Sequence, residues 1–123
     1  MAQHNDFGKL GEQLAQKHLM EQGFSILEVN YRMGKLEADI VAYKKGLVVF
    51  AEVKTRRSVD FGEPEDFVTP QKQRAYIRLA DNYMIEHDRD EEVRFDILSV
   101  VMNATGFQIN HIENAFSAYN LGE

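Results

Sequence analysis

LEADIVAYKKGLVVFAEVK, residues Leu36–Lys54, is the stretch whose reading decides the fold. Its halves, Leu36–Tyr43 and Leu47–Lys54, are rich in strand-forming residues. Only Lys44, Lys45 and Gly46 separate them, so they read as two strands of an antiparallel hairpin. Alternate residues of a strand face the same way. Glu37, Asp39 and Val41 are therefore expected on one face of the first strand, with Leu36, Ala38 and Ile40 on the other. On the second strand Val48, Phe50, Glu52 and Lys54 share a face. Both faces are apolar near the turn and charged at the far end, which a simple core strand does not show. A two-residue loop of Lys45 and Gly46 sets a register that puts Asp39 opposite Glu52 and Glu37 opposite Lys54.

Two carboxylates about 5 Å apart across a strand pair repel unless a cation lies between them. Oxygen donors with room for water suit a hard divalent cation, Mg²⁺ or Mn²⁺, whereas His4, His18, His87 and His111 are scattered with no zinc-like spacing. Lys54, two residues beyond Glu52 on the same side, is placed to hold a phosphate oxygen or to orient and help deprotonate a water that the cation acidifies. An isolated Glu-x-Lys is most often an exposed ion pair. Asp39 on the preceding strand, apolar runs on both strands and a helix on either side raise this one above that.

Upstream, Phe7, Leu10, Leu14, Ala15 and Leu19 recur at helical spacing, which predicts a helix over Phe7–Gln22 closed by Gly23 as a left-handed cap. Phe24–Arg32 reads as a strand, and Met33, Gly34 and Lys35 as its turn. Downstream, Thr55–Val68 holds Gly62 and Pro64 without a sustained period and reads as a loop bearing Asp60, Glu63, Glu65 and Asp66. Thr69 then serves as N-cap and Pro70 as first helical residue of a helix reaching about Glu86, with Tyr76, Leu79, Ala80 and Tyr83 as its apolar stripe. After an acidic loop, Val93–Met102 is a long strand, Asn103–Gly106 a turn and Phe107–Ile112 a short returning strand. The order αβββαβ, with one further strand, is an α/β fold whose central mixed sheet is flanked by helices.

The 123 residues make a single domain over 1–123, with its core at about 5–116. The net charge of −6 means that nucleic-acid binding cannot rest on a general positive field, so any basic surface is local. The absence of cysteine excludes disulfides and thiolate chemistry and fits a reducing compartment. The polar residues Met1–Asp6 and the lack of any long apolar run predict a cytoplasmic protein without a membrane span. No GxSxG, GxxxxGK[ST] or GxGxxG occurs, so serine-hydrolase and nucleotide-cofactor readings have no support. Gly8-Lys9-Leu10-Gly11 matches the GxxG of KH domains, but only seven residues precede it where that loop needs a helix.

The ordered set Gly11-Glu12, Asn30-Tyr31-Arg32, Glu37-Ala38-Asp39-Ile40-Val41-Ala42, Val49-Phe50-Ala51-Glu52-Val53-Lys54-Thr55-Arg56, Val68-Thr69 with Lys72, and Arg94-Phe95-Asp96 resembles the bacterial YraN family. That family has a restriction-endonuclease-like fold and stands in the PD-(D/E)XK nuclease superfamily beside archaeal Holliday-junction resolvases. The resemblance runs from about Asn5 to Phe116. One departure is that Gly34 stands two residues upstream of its usual place before the first acidic residue, here Glu37.

The resemblance makes Asp39 the motif aspartate, Glu52 and Lys54 the Glu-x-Lys, and Glu12 the acidic residue that the first helix brings beside the site. Gln71, Lys72 or Gln73 takes the place of a polar residue on the second helix. The resulting expectation is Mg²⁺ or Mn²⁺ on Asp39, Glu52 and the Val53 carbonyl, with Lys54 orienting water and Glu12 holding a water at the ion or a second ion. Arg56, Arg57, Lys72, Arg74 and Arg78, with Lys35, Lys44 and Lys45, are the residues from which DNA contacts would come. The resemblance implies a DNA endonuclease, on branched or junction DNA, working as a homodimer. The opposing expectation is a non-catalytic adaptor of nuclease fold that binds DNA or a repair or competence protein, which the acidic segments Asp60–Asp66 and Glu86–Glu92 favour.

Overall fold

The computed structural model describes residues 2–57 and 68–117. Its elements are α1 (Ala2–Glu21), β1 (Ser25–Met33), β2 (Leu36–Lys44), β3 (Leu47–Arg57), α2 (Pro70–Glu86), β4 (Glu92–Asn103) and β5 (Gly106–Phe116). The strands form a mixed sheet in the order β1-β2-β3-β4-β5, with β3 and β4 parallel and the other neighbours antiparallel. The parallel pair requires a crossover, and α2 is its helix.

Local chemistry sets the boundaries. At the end of α1 Gly23 takes φ 96°, and its N–H donates to the Met20 carbonyl at 3.0 Å while that of Phe24 donates to the Leu19 carbonyl at 2.9 Å. Lys45 and Gly46 take φ 47° and 83°, the two left-handed residues of a tight hairpin turn. Thr69 caps α2 by accepting from the Lys72 N–H at 3.2 Å, with Pro70 behind it. α1 begins earlier than Phe7, and β5 runs on to Phe116 where the sequence predicts an end at Ile112. β3 also outruns its predicted end at Lys54. It pairs with β4 from Leu47–Glu92 to Arg57–Met102, and this long neighbour draws Thr55, Arg56 and Arg57 into the sheet. The remainder of the predicted loop, with Asp60, Glu63, Glu65 and Asp66, lies outside the described residues.

The central strands β2, β3 and β4 are covered on both faces of the sheet. Tyr76, Leu79, Ala80 and Tyr83 of α2 cover Val41, Val48, Phe50, Phe95 and Ile97, while Ala15 and Leu19 of α1 cover Ile40, Ala42, Val49, Ala51 and Leu98. Each fully buried large apolar side chain contributes about 1.5–3 kcal/mol.

Strand alternation breaks at Asp39. Leu36 and Ala38 pack on the α2 side while Ile40 and Ala42 pack on the α1 side, so the expected grouping of Leu36, Ala38 and Ile40 on one face does not hold. Two features cause the change of phase. Pairing of β1 with β2 passes from Val29–Ile40 to Tyr31–Ala38 across Asn30, whose φ of 56° is left-handed, and pairing of β2 with β3 ends at Ile40–Ala51. Glu37 consequently stands opposite Arg32 of β1, not Lys54, and its carboxylate meets the Arg32 Nε at 3.1 Å.

Candidate active site

The hairpin register from Lys44–Leu47 to Ile40–Ala51 brings Asp39 and Glu52 one step beyond the last β2–β3 pair. There β2 diverges while β3 continues along β4. Past the end of the ladder, the Asp39 carboxylate supplies the acceptor for the Val53 N–H at 2.7 Å. A residue in an extended strand points its N–H and C=O to the same side. The Val53 carbonyl therefore faces the same opening as Asp39.

Glu52 is buried on the α2 side of β3. Its Oε2 meets the Lys54 Nζ at 2.8 Å and the Lys72 Nζ at 3.2 Å. The buried Tyr76 hydroxyl sits between Oε1 of Glu52 and the Glu37 carbonyl, the latter at 3.1 Å. α1 reaches the same end of the sheet by a close approach of Gly11 to β3: a Cβ there would lie 1.9 Å from the Thr55 Oγ1. Glu12 follows Gly11; its charge acts on Asp39, and that of Glu37 acts on it.

The electrostatics divide the two carboxylates. Burial pushes the Asp39 carboxyl up to about 7, and the charges of Glu12, Glu52 and Glu37 add to this against the opposing Val53 N–H. Burial also raises Glu52, but the hydrogen bonds from Lys54 and Tyr76 and the charges of Lys54 and Lys72 outweigh it, so Glu52 titrates below its ordinary value. Glu12 is raised by burial and then by Glu37. Burial and the adjacent Glu52 carboxylate hold the Tyr76 phenol far above its ordinary value, so Tyr76 is a proton donor to Glu52.

The donor set fits a hard divalent cation: two carboxylates and a backbone carbonyl, all oxygen, with one carboxylate destabilised by burial and then by like charge. Among the described residues no three His, Cys, Asp or Glu side chains converge to hold a metal. The protein donors would accordingly be Asp39, Glu52 and the Val53 carbonyl, with water completing the shell.

The remaining predicted residues fall at different distances from this centre. Lys72 joins it through Glu52, whereas Gln73 donates to the Val68 carbonyl at 2.9 Å and fixes the start of α2. Gln71, Arg74 and Arg78 are exposed on α2. Arg56 is half-buried at the end of β3, and the exposed Arg57 lies over the Phe7 ring at 5.8 Å. Lys35 is in the β1–β2 turn on the Asp39 side. Lys44 and Lys45 are at the opposite end of the hairpin, where Lys44 donates to the Gln22 carbonyl at 2.6 Å and covers Phe24, so this pair does not belong to the site.

Sequence reasoning assigned Tyr76 to the core stripe and missed its contact with Glu52. The available signal was its phenol, which needs a partner when buried. A second polar network was also missed. Asp96, wholly buried, accepts two hydrogen bonds from Arg94 at 2.9 Å each and the Asn114 N–H at 3.0 Å, and pairs with the His111 Nε2 at 2.7 Å. Burial raises Asp96, yet these donors together hold it below its ordinary value.

The model of the family described as "Uncharacterised protein family UPF0102" matches residues 11–100, a span that holds Glu12, Asp39, Glu52, Lys54 and Asp96. A UPF0102 protein of Flavobacterium psychrophilum is 47% identical over 116 residues, covering 94% of this chain and 98% of the relative. A UPF0102 protein of Phocaeicola vulgatus is also 47% identical, covering 94% and 96%, and one of Bacteroides fragilis is 46% identical with the same coverage. With most of its length matched by the family model and these relatives matched nearly end to end, the chain belongs to the UPF0102 family.

Proposed function

We propose that the protein is a divalent-cation-dependent endonuclease that hydrolyses DNA phosphodiester bonds. The observation that carries this reading is the placement of Asp39 and Glu52 one step beyond the last β2–β3 pair, with the Asp39 carboxylate on the Val53 N–H at 2.7 Å and Lys54 at 2.8 Å from Glu52. Mg²⁺ or Mn²⁺ bound there supplies Lewis-acid chemistry and lowers the pKa of coordinated water. Asp39, whose carboxyl is pushed up to about 7, is the group that gains most from a positive charge. Tyr76 and Lys72 hold Glu52 in one orientation, and α1 presents Glu12 to Asp39 to position water or a second ion. Lys54, as an ammonium, donates to a phosphate oxygen and offsets the charge that accumulates during in-line attack of water on phosphorus. Arg56, Arg57, Arg74 and Arg78 are the proposed phosphate contacts along the flanks. Four-way or flapped DNA is the proposed substrate class, on the resemblance given above, and a homodimer would supply one site per strand.

The test is cleavage of labelled four-way, flapped and linear DNA with Mg²⁺, Mn²⁺ or EDTA, comparing the protein with Asp39→Ala and Glu52→Ala. Cutting that needs the cation and is lost in both variants supports the proposal. Absence of cutting under any cation moves the assignment to a DNA- or protein-binding adaptor, and equal cutting by all three proteins identifies a contaminant.

A further inference from the structure

On the α1 side of the molecule two histidines that are 93 positions apart in the chain meet: Nε2 of His18 in α1 lies 3.3 Å from Nδ1 of His111 in β5. His111 is held from behind. Its Nε2–H donates to the Asp96 carboxylate at 2.7 Å, and Asp96 is itself fixed by Arg94 and the Asn114 N–H. With its proton on Nε2, His111 turns the lone pair of Nδ1 toward His18. A carboxylate behind an imidazole, fixing its tautomer and raising its basicity, is the usual support of a metal-ligating histidine.

The spacing of the two nitrogens fits the same purpose. Zn–N bonds of about 2.0–2.1 Å that span 3.3 Å subtend roughly 104–111° at the ion, close to a tetrahedral angle. His18 and Glu21, one helical turn apart on α1, line an open cleft of about 250 Å³ whose other wall is Phe107 and Ile109 of β5, with Leu14 and Lys17 completing it. This cleft gives an ion a route to His18 and leaves room for water. Imidazole nitrogens select a borderline transition cation over the hard cations suited to the carboxylate centre.

We propose that His18 and His111 form a binding site for a borderline divalent transition cation of the Zn²⁺ class, with Asp96 orienting His111 and with water completing the coordination. This site bridges α1 to β5 and is separate from the Asp39–Glu52 centre. The site uses two histidines that the chain brings together only by folding.

The test is titration of the full chain with Zn²⁺ against a chromogenic chelator in excess Mg²⁺, with ¹⁵N imidazole spectra recorded in parallel. One equivalent is expected, moving the resonances of His18 Nε2 and His111 Nδ1 and leaving His87 in place. His18→Ala, at a half-buried position, is expected to weaken that equivalent at least about tenfold while its circular dichroism stays native, and Asp39→Asn is expected to retain it. Zinc binding unchanged in His18→Ala, loss of the equivalent in Asp39→Asn, or unmoved imidazole resonances would each overturn the proposal and leave the His18–His111 contact a hydrogen bond only.

Discussion

Asp39 is the residue at which stability and proposed chemistry conflict. Its carboxyl keeps a proton up to about 7 in the folded chain, against 3.8 ordinarily. Between those values folding takes up a proton, so this group makes stability fall as pH rises from about 4 to 7, and above that the penalty is present in full. Asp39→Asn removes the charge but keeps an acceptor for the Val53 N–H. We expect this variant to be more stable than the parent at pH 8 by on the order of 1–3 kcal/mol, with the difference vanishing near pH 4, as read by urea denaturation at each pH. Added Mg²⁺ should stabilise the parent at pH 8 and leave the variant unchanged. A parent protein more stable than Asp39→Asn at pH 8 would show that the carboxylate is not strained.

At the scale of elements, the contact that matters most for the site is between α1 and β3. Gly11 lets the helix backbone come so near that the side chain of Thr55 fills the space a Cβ would need. Thr55 follows Lys54 directly and Glu12 follows Gly11, so the same contact fixes where the α1 carboxylate stands relative to the carboxylates of the sheet. Gly11→Ala is expected to cost about 1–3 kcal/mol through overpacking. Thr55→Gly, which clears the space, should restore part of that in the double variant, and equilibrium denaturation of the two singles and the double measures the coupling. An additive result would mean that α1 simply shifts outward. The divergence of β2 from β3 is the second such device. It arises where Asn30 turns left-handed in β1 and the β2–β3 ladder stops at Ile40–Ala51.

For the whole molecule, a net charge of −6 requires DNA contacts to come from a local surface. Arg74 and Arg78 are exposed on α2, which also carries Lys72 and Tyr76 into the Glu52 cluster, and Arg57 is exposed at the end of β3. We expect DNA affinity, measured by fluorescence anisotropy in Ca²⁺ to prevent turnover, to fall steeply with salt. Each phosphate contact contributes about 0.9 to the logarithmic slope, so Arg74→Glu with Arg78→Glu should flatten it by roughly one to two. Affinity insensitive to salt would instead favour a protein partner. Among the described residues no helix is long and apolar enough to cross a membrane.

The hairpin, its two-residue turn, the caps of both helices and the αβββαβ order were legible in the sequence because each rests on local chemistry: a strand-forming run, a glycine at positive φ, a Thr-Pro helix start. The same reading placed Asp39 and Glu52 at one end of the hairpin. It could not find the end of the β2–β3 ladder at Ile40–Ala51, because that depends on the left-handed Asn30 in a neighbouring strand and on how far β4 draws β3 along. Tyr76 beside Glu52 and His18 beside His111 were hidden for the same reason. A side chain's partner across 24 or 93 positions is chosen by how helices pack on a sheet. What the sequence by itself determined is therefore the set of elements and the residues each offers, since these follow from periodicity and turn chemistry. Only the tertiary structure decided which offered groups meet, because burial and close approach set both their distances and their charges.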